Sequence, residues 1–191
     1  MNRICVLALS GWAHHSWFPR SQRALTERAL AAANASLIAC FPQLSELQAK
    51  PAMPRFATLP RPACAKVLRV TAAFARARSL RKVVSAAAHE KFARSIAPRV
   101  LCAVQRDRRG EHDDTDFGAA LNVFDRADMT AAGLCLALHT IGDPNLRVLV
   151  QLRLPRTLAR RAAHFTVGDM SARAARDLLD TAYTLAGGEP C

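Results

Sequence analysis

Between Met129 and Pro155 the chain reads MTAAGLCLALHTIGDPNLRVLVQLRLP. An almost continuous apolar run of helical length closes on Gly142-Asp143-Pro144. A second apolar run then ends on Leu152-Arg153-Leu154-Pro155. Two such runs joined by a tight Gly-Asp-Pro turn form a buried hairpin, and the rest of the chain has to pack around it. Asp128 is placed to cap the first helix, and Gly142 to close it in the left-handed conformation. The second run is open to two readings. Val150, Leu152 and Leu154 alternate with Gln151 and Arg153 as in a strand, yet a buried helix fits equally. The stretch holds no paired carboxylates, no phosphate loop and no nucleophile beside a base, so it points to packing and docking rather than to chemistry.

A chain of 191 residues with 51% hydrophobic content has the material for one domain with a real core. Aromatics are only 6%. The core must therefore be Ala, Leu and Val, which suits close helix packing better than a β-sandwich. The fold class expected is mainly α, a single compact multi-helix domain over 1–191, with a short strand near 147–154 left open. Serine at position 21 caps a first helix to Cys40, with Leu25, Ala29, Ala33 and Leu37 as its apolar stripe. Prolines 42, 51, 54, 60 and 62 mark an irregular connector over 42–62. A second helical region begins near Pro62 and breaks at Ser79. Further helices follow over 89–97 and 99–105, and then a charged loop over 106–116. Phe117 to Phe124 is ambiguous between helix and strand. A last helix, capped by Asp169 or Ser171, carries Leu178, Leu179, Ala182 and Leu185 inward and ends at Gly187-Gly188.

The formal net charge is +12. Such a balance suits nucleic acid, an anionic membrane or an acidic protein. The bases are almost all arginine, with Lys50, Lys66, Lys82 and Lys91 the only lysines. Arginine and alanine enriched together also fit coding bias in a GC-rich genome. The six cysteines show no Cys-x-x-Cys and no metal-ligand spacing with histidine, and they read as reduced thiols. The apolar start from Ile4 to Leu9 falls short of the roughly 7–15 residues of a secretory h-region. No run approaches the roughly 20 apolar residues of a membrane span.

Candidate chemistry is sparse. His112, Asp113, Asp114 and Asp116 lack the glycine turn and final glutamate of a calcium loop, and flanking arginines oppose a cation. His14 and His15 lie between Trp12 and Trp17, as part of an aromatic anchor rather than a metal pair. Cys135 and His139 share a helix face, but nothing beside them supplies an oxyanion hole. His164 and Asp169 have no serine in an elbow motif to serve. Arg153, Arg156, Arg160 and Arg161 form a basic turn without the aromatic platforms of a single-strand binder. No catalytic residue, metal or cofactor is therefore assigned. The residues expected to bind protein are Trp12, His15, Trp17, Arg153, Arg156 and Arg160, with the N-terminal element and the arginine turn at two ends of the molecule.

Three stretches carry a family resemblance. His15-Ser16-Trp17-Phe18-Pro19 is similar to an N-terminal His-x-Ser-Trp-Leu-Pro element. Val67 to Val84, with its Ser-Leu-Arg-Lys-Val-Val end, is similar to a central helical region. Gly133-Leu134, the Asp-Pro turn and Leu152-Arg153-Leu154-Pro155 resemble a Gly-Leu … Pro … Leu-Arg-Leu-Pro ending. Together these resemble the K component of type III secretion systems, the SctK/YscK-like family with its Hrp-type members. This chain has Asn145-Leu146-Arg147 where that family often carries a tryptophan after the Asp-Pro turn. The resemblance implies a mostly helical, non-enzymatic cytoplasmic adaptor, recruited to the cytosolic face of the inner membrane. Its partners would be the membrane-ring component and the C-ring-like pod protein, with no small-molecule substrate. The alternative is a basic helical nucleic-acid-binding regulator.

Overall fold

The computed structural model describes residues 9–19, 26–46, 52–83, 85–107 and 114–186. Among these the regular structure is entirely helical: α1 (Glu27–Cys40), α2 (Arg55–Thr58), α3 (Arg61–Ala75), α4 (Ala77–Arg81), α5 (Ala86–Ile96), α6 (Pro98–Arg106), α7 (Arg126–His139), α8 (Pro144–Arg153), α9 (Arg156–Ala162) and α10 (Ala172–Ala186). Residues 9–12 are also helical, and short 3-10 turns occupy His15–Trp17 and Pro42–Glu46. None of these helices is long and apolar enough to cross a membrane.

The buried centre is the crossing of α3 with α7. α3 is covered on a second side by α10, and α9 lies along α7. Every residue of α3 from Val67 to Ala75 is buried, as is every residue of α7 from Met129 to Leu134. The two backbones meet at Gly133. A Cβ there would overlap the Leu68 carbonyl oxygen and stand 2.9 Å from the Leu68 Cα. Only glycine lets the helices approach this closely. That makes Gly133 the packing hinge between two of the three stretches that carry the family resemblance.

The 147–154 segment is helix, not strand. Asp143 caps α8 through Asn145 N–H at 2.8 Å, and Pro144 at the first turn has no N–H to leave unsatisfied. Its alternation misleads because α8 is a wall between two hydrophobic clusters. Val150 and Leu154 face the main core. Val148, Leu149 and Leu152 face a second cluster with Leu9, Ala13, Phe18, Ala33, Leu37 and Leu44. A helix buried on both sides loses the one-sided pattern that identifies it.

Several end signals also differ from expectation. α7 is capped by Asp125, which accepts from Ala127 and Asp128 N–H, rather than by Asp128. It ends at Thr140, and Gly142 does not adopt a positive φ. Thr26 caps α1, and Ser21 and Leu25 lie outside the described residues, as do Gly187 and Gly188. Ser171 caps α10 by accepting from Ala174 N–H at 3.1 Å. Residues 117–124 are neither helix nor strand. The proline-rich 42–62 connector is partly regular, because Pro54 and Pro60 stand at N-cap positions and Pro62 in the first turn of α3, where proline fits.

The break between α3 and α4 is held from a distance. Asp114 accepts from Arg78 N–H at 3.0 Å, from Ser79 N–H at 2.9 Å and from the Ser79 hydroxyl, which puts its charge at the N-terminus of α4. The break between α5 and α6 is strained. Ala97, held between Ile96 and Pro98, has φ 82° and ψ 146°, a region suited to glycine.

Two stability outcomes follow from this geometry. Gly133→Ala is expected to destabilise the fold by about 3 kcal/mol, because a backbone carbonyl rather than a side chain must give way. Ala97→Gly is expected to stabilise it by roughly 0.5–1 kcal/mol despite glycine's entropy in the unfolded chain. Urea unfolding of both variants checks the pair. A neutral Gly133→Ala would show that α3 and α7 separate without loss.

Candidate docking site

The N-terminal element is bonded along its length to α8 and the turn that follows it. The Trp12 indole N–H donates to the Leu149 carbonyl at 2.7 Å, and the His14 backbone N–H to Leu152 O at 2.7 Å. The Trp17 indole N–H donates to Leu154 O at 2.8 Å, and Arg156 N–H to the Ser16 hydroxyl at 2.9 Å. His14 Nδ1 caps the short turn by accepting from Ser16 N–H. Ser10 N–H donates to Asn34 Oδ1 and so ties the same element to α1. The element is thus a strap along the C-terminal half of α8 and its C-cap, and at Leu152 it satisfies a carbonyl that the helix cannot satisfy itself.

Arginines stack on the strap. The Arg153 guanidinium lies over the Trp12 ring at 4.6 Å, and the Arg156 guanidinium over the Trp17 ring at 5.8 Å. Phe41 meets the edge of Trp17 at 5.8 Å between centroids. Arg153 is half-buried and donates to Leu59 O at 3.0 Å, so it is a strut rather than an open surface charge. Burial, and then the neighbouring Arg61 cation, push its pKa down. Arg161 is held by Asp128 at 3.0 Å. Arg156, Arg160 and His15 are exposed.

Trp12, His15, Trp17, Arg153 and Arg156 therefore form one composite patch, with Arg160 one helical turn beyond Arg156. The N-terminal element and the arginine turn do not stand at two ends of the molecule. They are two halves of one surface, joined by the indole–carbonyl bonds. Two participants carry no signal in the sequence. Arg61 donates to the Trp12 carbonyl at 3.0 Å and to that of Ala13 at 2.8 Å, across nearly fifty positions and from within the proline-rich stretch. Asn34 is fully buried in an alanine-rich helix, where nothing but its polarity among apolar neighbours marks it.

The other groups weighed for chemistry are engaged elsewhere. Cys135 Sγ donates to Phe165 O at 3.2 Å, and the His139 ring nitrogen meets Met170 O at 3.0 Å, so the two do not form a pair. His112 and Asp113 lie outside the described residues. Asp114 caps α4, and Asp116 accepts from Gly118 N–H at 2.8 Å. Cys64 is 1% exposed, and burial pushes its thiol from 9.0 up to about 11, with Arg153 opposing.

Comparison with protein-family models, with curated proteins and with solved structures finds no match to this chain.

Burial of Cys64 generates a pH dependence. Its folded-state pKa is raised, so the neutral thiol stabilises the fold fully below pH 9, and that contribution is lost as pH rises from 9 to 11. Relative to Cys64→Ala, the wild type is expected to lose on the order of 2 kcal/mol across that window. Urea unfolding at the two ends checks it. Identical slopes for the two proteins would remove the buried thiol from the account.

Proposed function

We propose that this protein is a non-enzymatic adaptor of a bacterial type III secretion apparatus. It acts in the cytoplasm at the inner membrane and links the membrane-ring component to the pod of the sorting platform. One observation carries the proposal: the three separated stretches of resemblance converge. The His-Ser-Trp element is bonded to the Leu-Arg-Leu-Pro element from Trp17 to Leu154, 137 positions apart, and to Arg156 just beyond it from Ser16. The Gly-Leu helix is seated against the central helix at Leu68. Short motifs scattered by chance have no reason to meet in space.

The composite patch is one docking face of this adaptor. Exposed Arg156 and Arg160 meet acidic groups of a partner through charge-assisted pairs, for which arginine's planar fork is suited. A bridge needs a second face, and it lies elsewhere on the body, because the strap and the arginine turn together make only one. The nucleic-acid alternative keeps the charge in its favour. Against it, both tryptophan rings already carry a guanidinium and both indole N–H groups are bonded internally, so neither serves as an open stacking platform.

Deleting the protein is expected to abolish secretion of type III substrates while the membrane rings still assemble. The joint charge reversal Arg156→Glu and Arg160→Glu is expected to weaken co-purification with one partner while a cooperative thermal melt shows that the fold survives. Normal secretion in the deletion strain would end the adaptor reading. Capture that disappears on nuclease treatment would turn it into the nucleic-acid one.

A further inference from the structure

Beneath the composite patch two guanidinium groups lack a counter-charge among the described residues. Arg61 at the start of α3 gives Nη2 to the Trp12 and Ala13 carbonyls, and Arg153 at the end of α8 gives Nη2 to Leu59 O while stacked on Trp12. Both therefore meet at the same tryptophan, one at its backbone and one over its ring. The Nε atoms of both are buried without a hydrogen-bond partner. Among the described residues their Nη1 groups make no hydrogen bond, and they are not among the buried unpartnered atoms, so they keep some exposure to solvent. Among the described residues no carboxylate lies within ion-pair distance of either one.

Cys64 interacts with Arg153, but its thiol, pushed up to about 11, is neutral at physiological pH and offers no negative charge. Burial, and then the nearby Arg61 cation, disfavour the charge on Arg153. Two half-buried like charges with orphaned donors cost free energy that a fold this well packed elsewhere does not relieve. A third guanidinium, Arg156, stands over Trp17 at the rim.

We propose that Arg61 and Arg153 form an oxyanion notch that takes an acidic side chain of a partner protein, its carboxylate bridging the two open Nη1 groups. The proposal rests on the adaptor reading and names the chemistry of the partner at this face. A carboxylate supplies the missing charge and accepts from both forks at once, beside the Trp12 ring that Arg153 already covers. A peptide is favoured over a nucleic-acid phosphate because the flanking indoles are already covered.

The test is fluorescence anisotropy with labelled hexaglutamate at fixed ionic strength. Inorganic phosphate and a single-stranded oligonucleotide serve as the other probes. The wild type is expected to bind hexaglutamate, and the variant carrying Arg61→Gln with Arg153→Gln to bind at least about tenfold more weakly. A control carrying Arg99→Gln with Arg173→Gln loses the same charge from exposed positions on α6 and α10 and is expected to bind as wild type. If the double variant unfolds, NMR of the wild type replaces it: the arginine Nε–H signals of Arg61 and Arg153 are expected to shift on adding hexaglutamate. Equal weakening in the control, unmoved Nε–H signals, or preference for phosphate or the oligonucleotide over the peptide would each overturn the notch. A failed peptide titration leaves the secretion phenotype intact, whereas normal secretion in the deletion strain leaves the titration intact, so the two proposals fail separately.

Discussion

The close crossing of α3 and α7 at Gly133 is the constraint from which the rest of the architecture follows. With no side chain at that point, the Leu68 carbonyl enters the face of α7, and the two most apolar helices bury each other over most of their length. Both helices carry small buried side chains, among them Ala72, Ala73, Ala131 and Ala132, all fully buried. Packing at this separation leaves little volume for large side chains, which accounts for a core poor in aromatics. It also sets where the following elements go. α7 must stop at His139 so that α8 can turn back, and the turn is closed by Asp143 and Pro144 rather than by a glycine in the left-handed region. Direct backbone contact gives this crossing a sharp geometry, because a carbonyl cannot repack as a methyl group can.

Arginine's role in the fold changes the meaning of the +12 charge. Arg61, Arg69, Arg76, Arg81, Arg147, Arg153 and Arg176 each donate to a backbone carbonyl, and the acceptors include the C-terminal ends of α5, α7 and the first helical turn. Helix ends leave carbonyls without partners, and the guanidinium fork reaches them from a neighbouring element with its charge matched to the negative end of the helix. Lysine, a compact and strongly hydrated cation, does this less well. Part of the basic composition is therefore internal fastening. Other arginines stay exposed, among them Arg99, Arg156, Arg160 and Arg173.

The helical class and most helix positions were legible because periodic apolar runs of ten or more residues carry their own signal, as over 61–75 and 172–186. What was not legible has three physical causes. α8 divides two clusters, and burial on both faces erased the period that separates helix from strand. Caps came from distant residues, as when Asp114 closes α4, and local spacing carries no trace of such a partner. The composite patch is made by hydrogen bonds between positions about 140 apart, so its two halves read as separate surfaces. The residues themselves, Trp12, Trp17, Arg153 and Arg156, were visible as an aromatic pair and a basic turn. Arg61 was not, since a lone arginine among prolines looks like any solvated base.

The second cluster gives the docking face its character. Leu9, Ala13 and Phe18 of the strap, Ala33 and Leu37 of α1, and Leu44 are buried against one side of α8, apart from the main core. This cluster holds far less apolar surface than the α3–α7–α10 centre, so its free energy of local opening lies well below that of the whole fold. The strap is fastened chiefly by indole and backbone N–H groups on carbonyls of α8, and by Arg61 on carbonyls of the strap itself. Arg61 thus touches both the strap and the site where an acidic group would enter. An anion drawn to Arg61 and Arg153 removes their mutual repulsion, and the guanidinium that holds the strap is held more firmly in turn. If the notch takes an acidic group as proposed, Arg61 links that site to the strap through one side chain, and any coupling between the two acts equally in both directions.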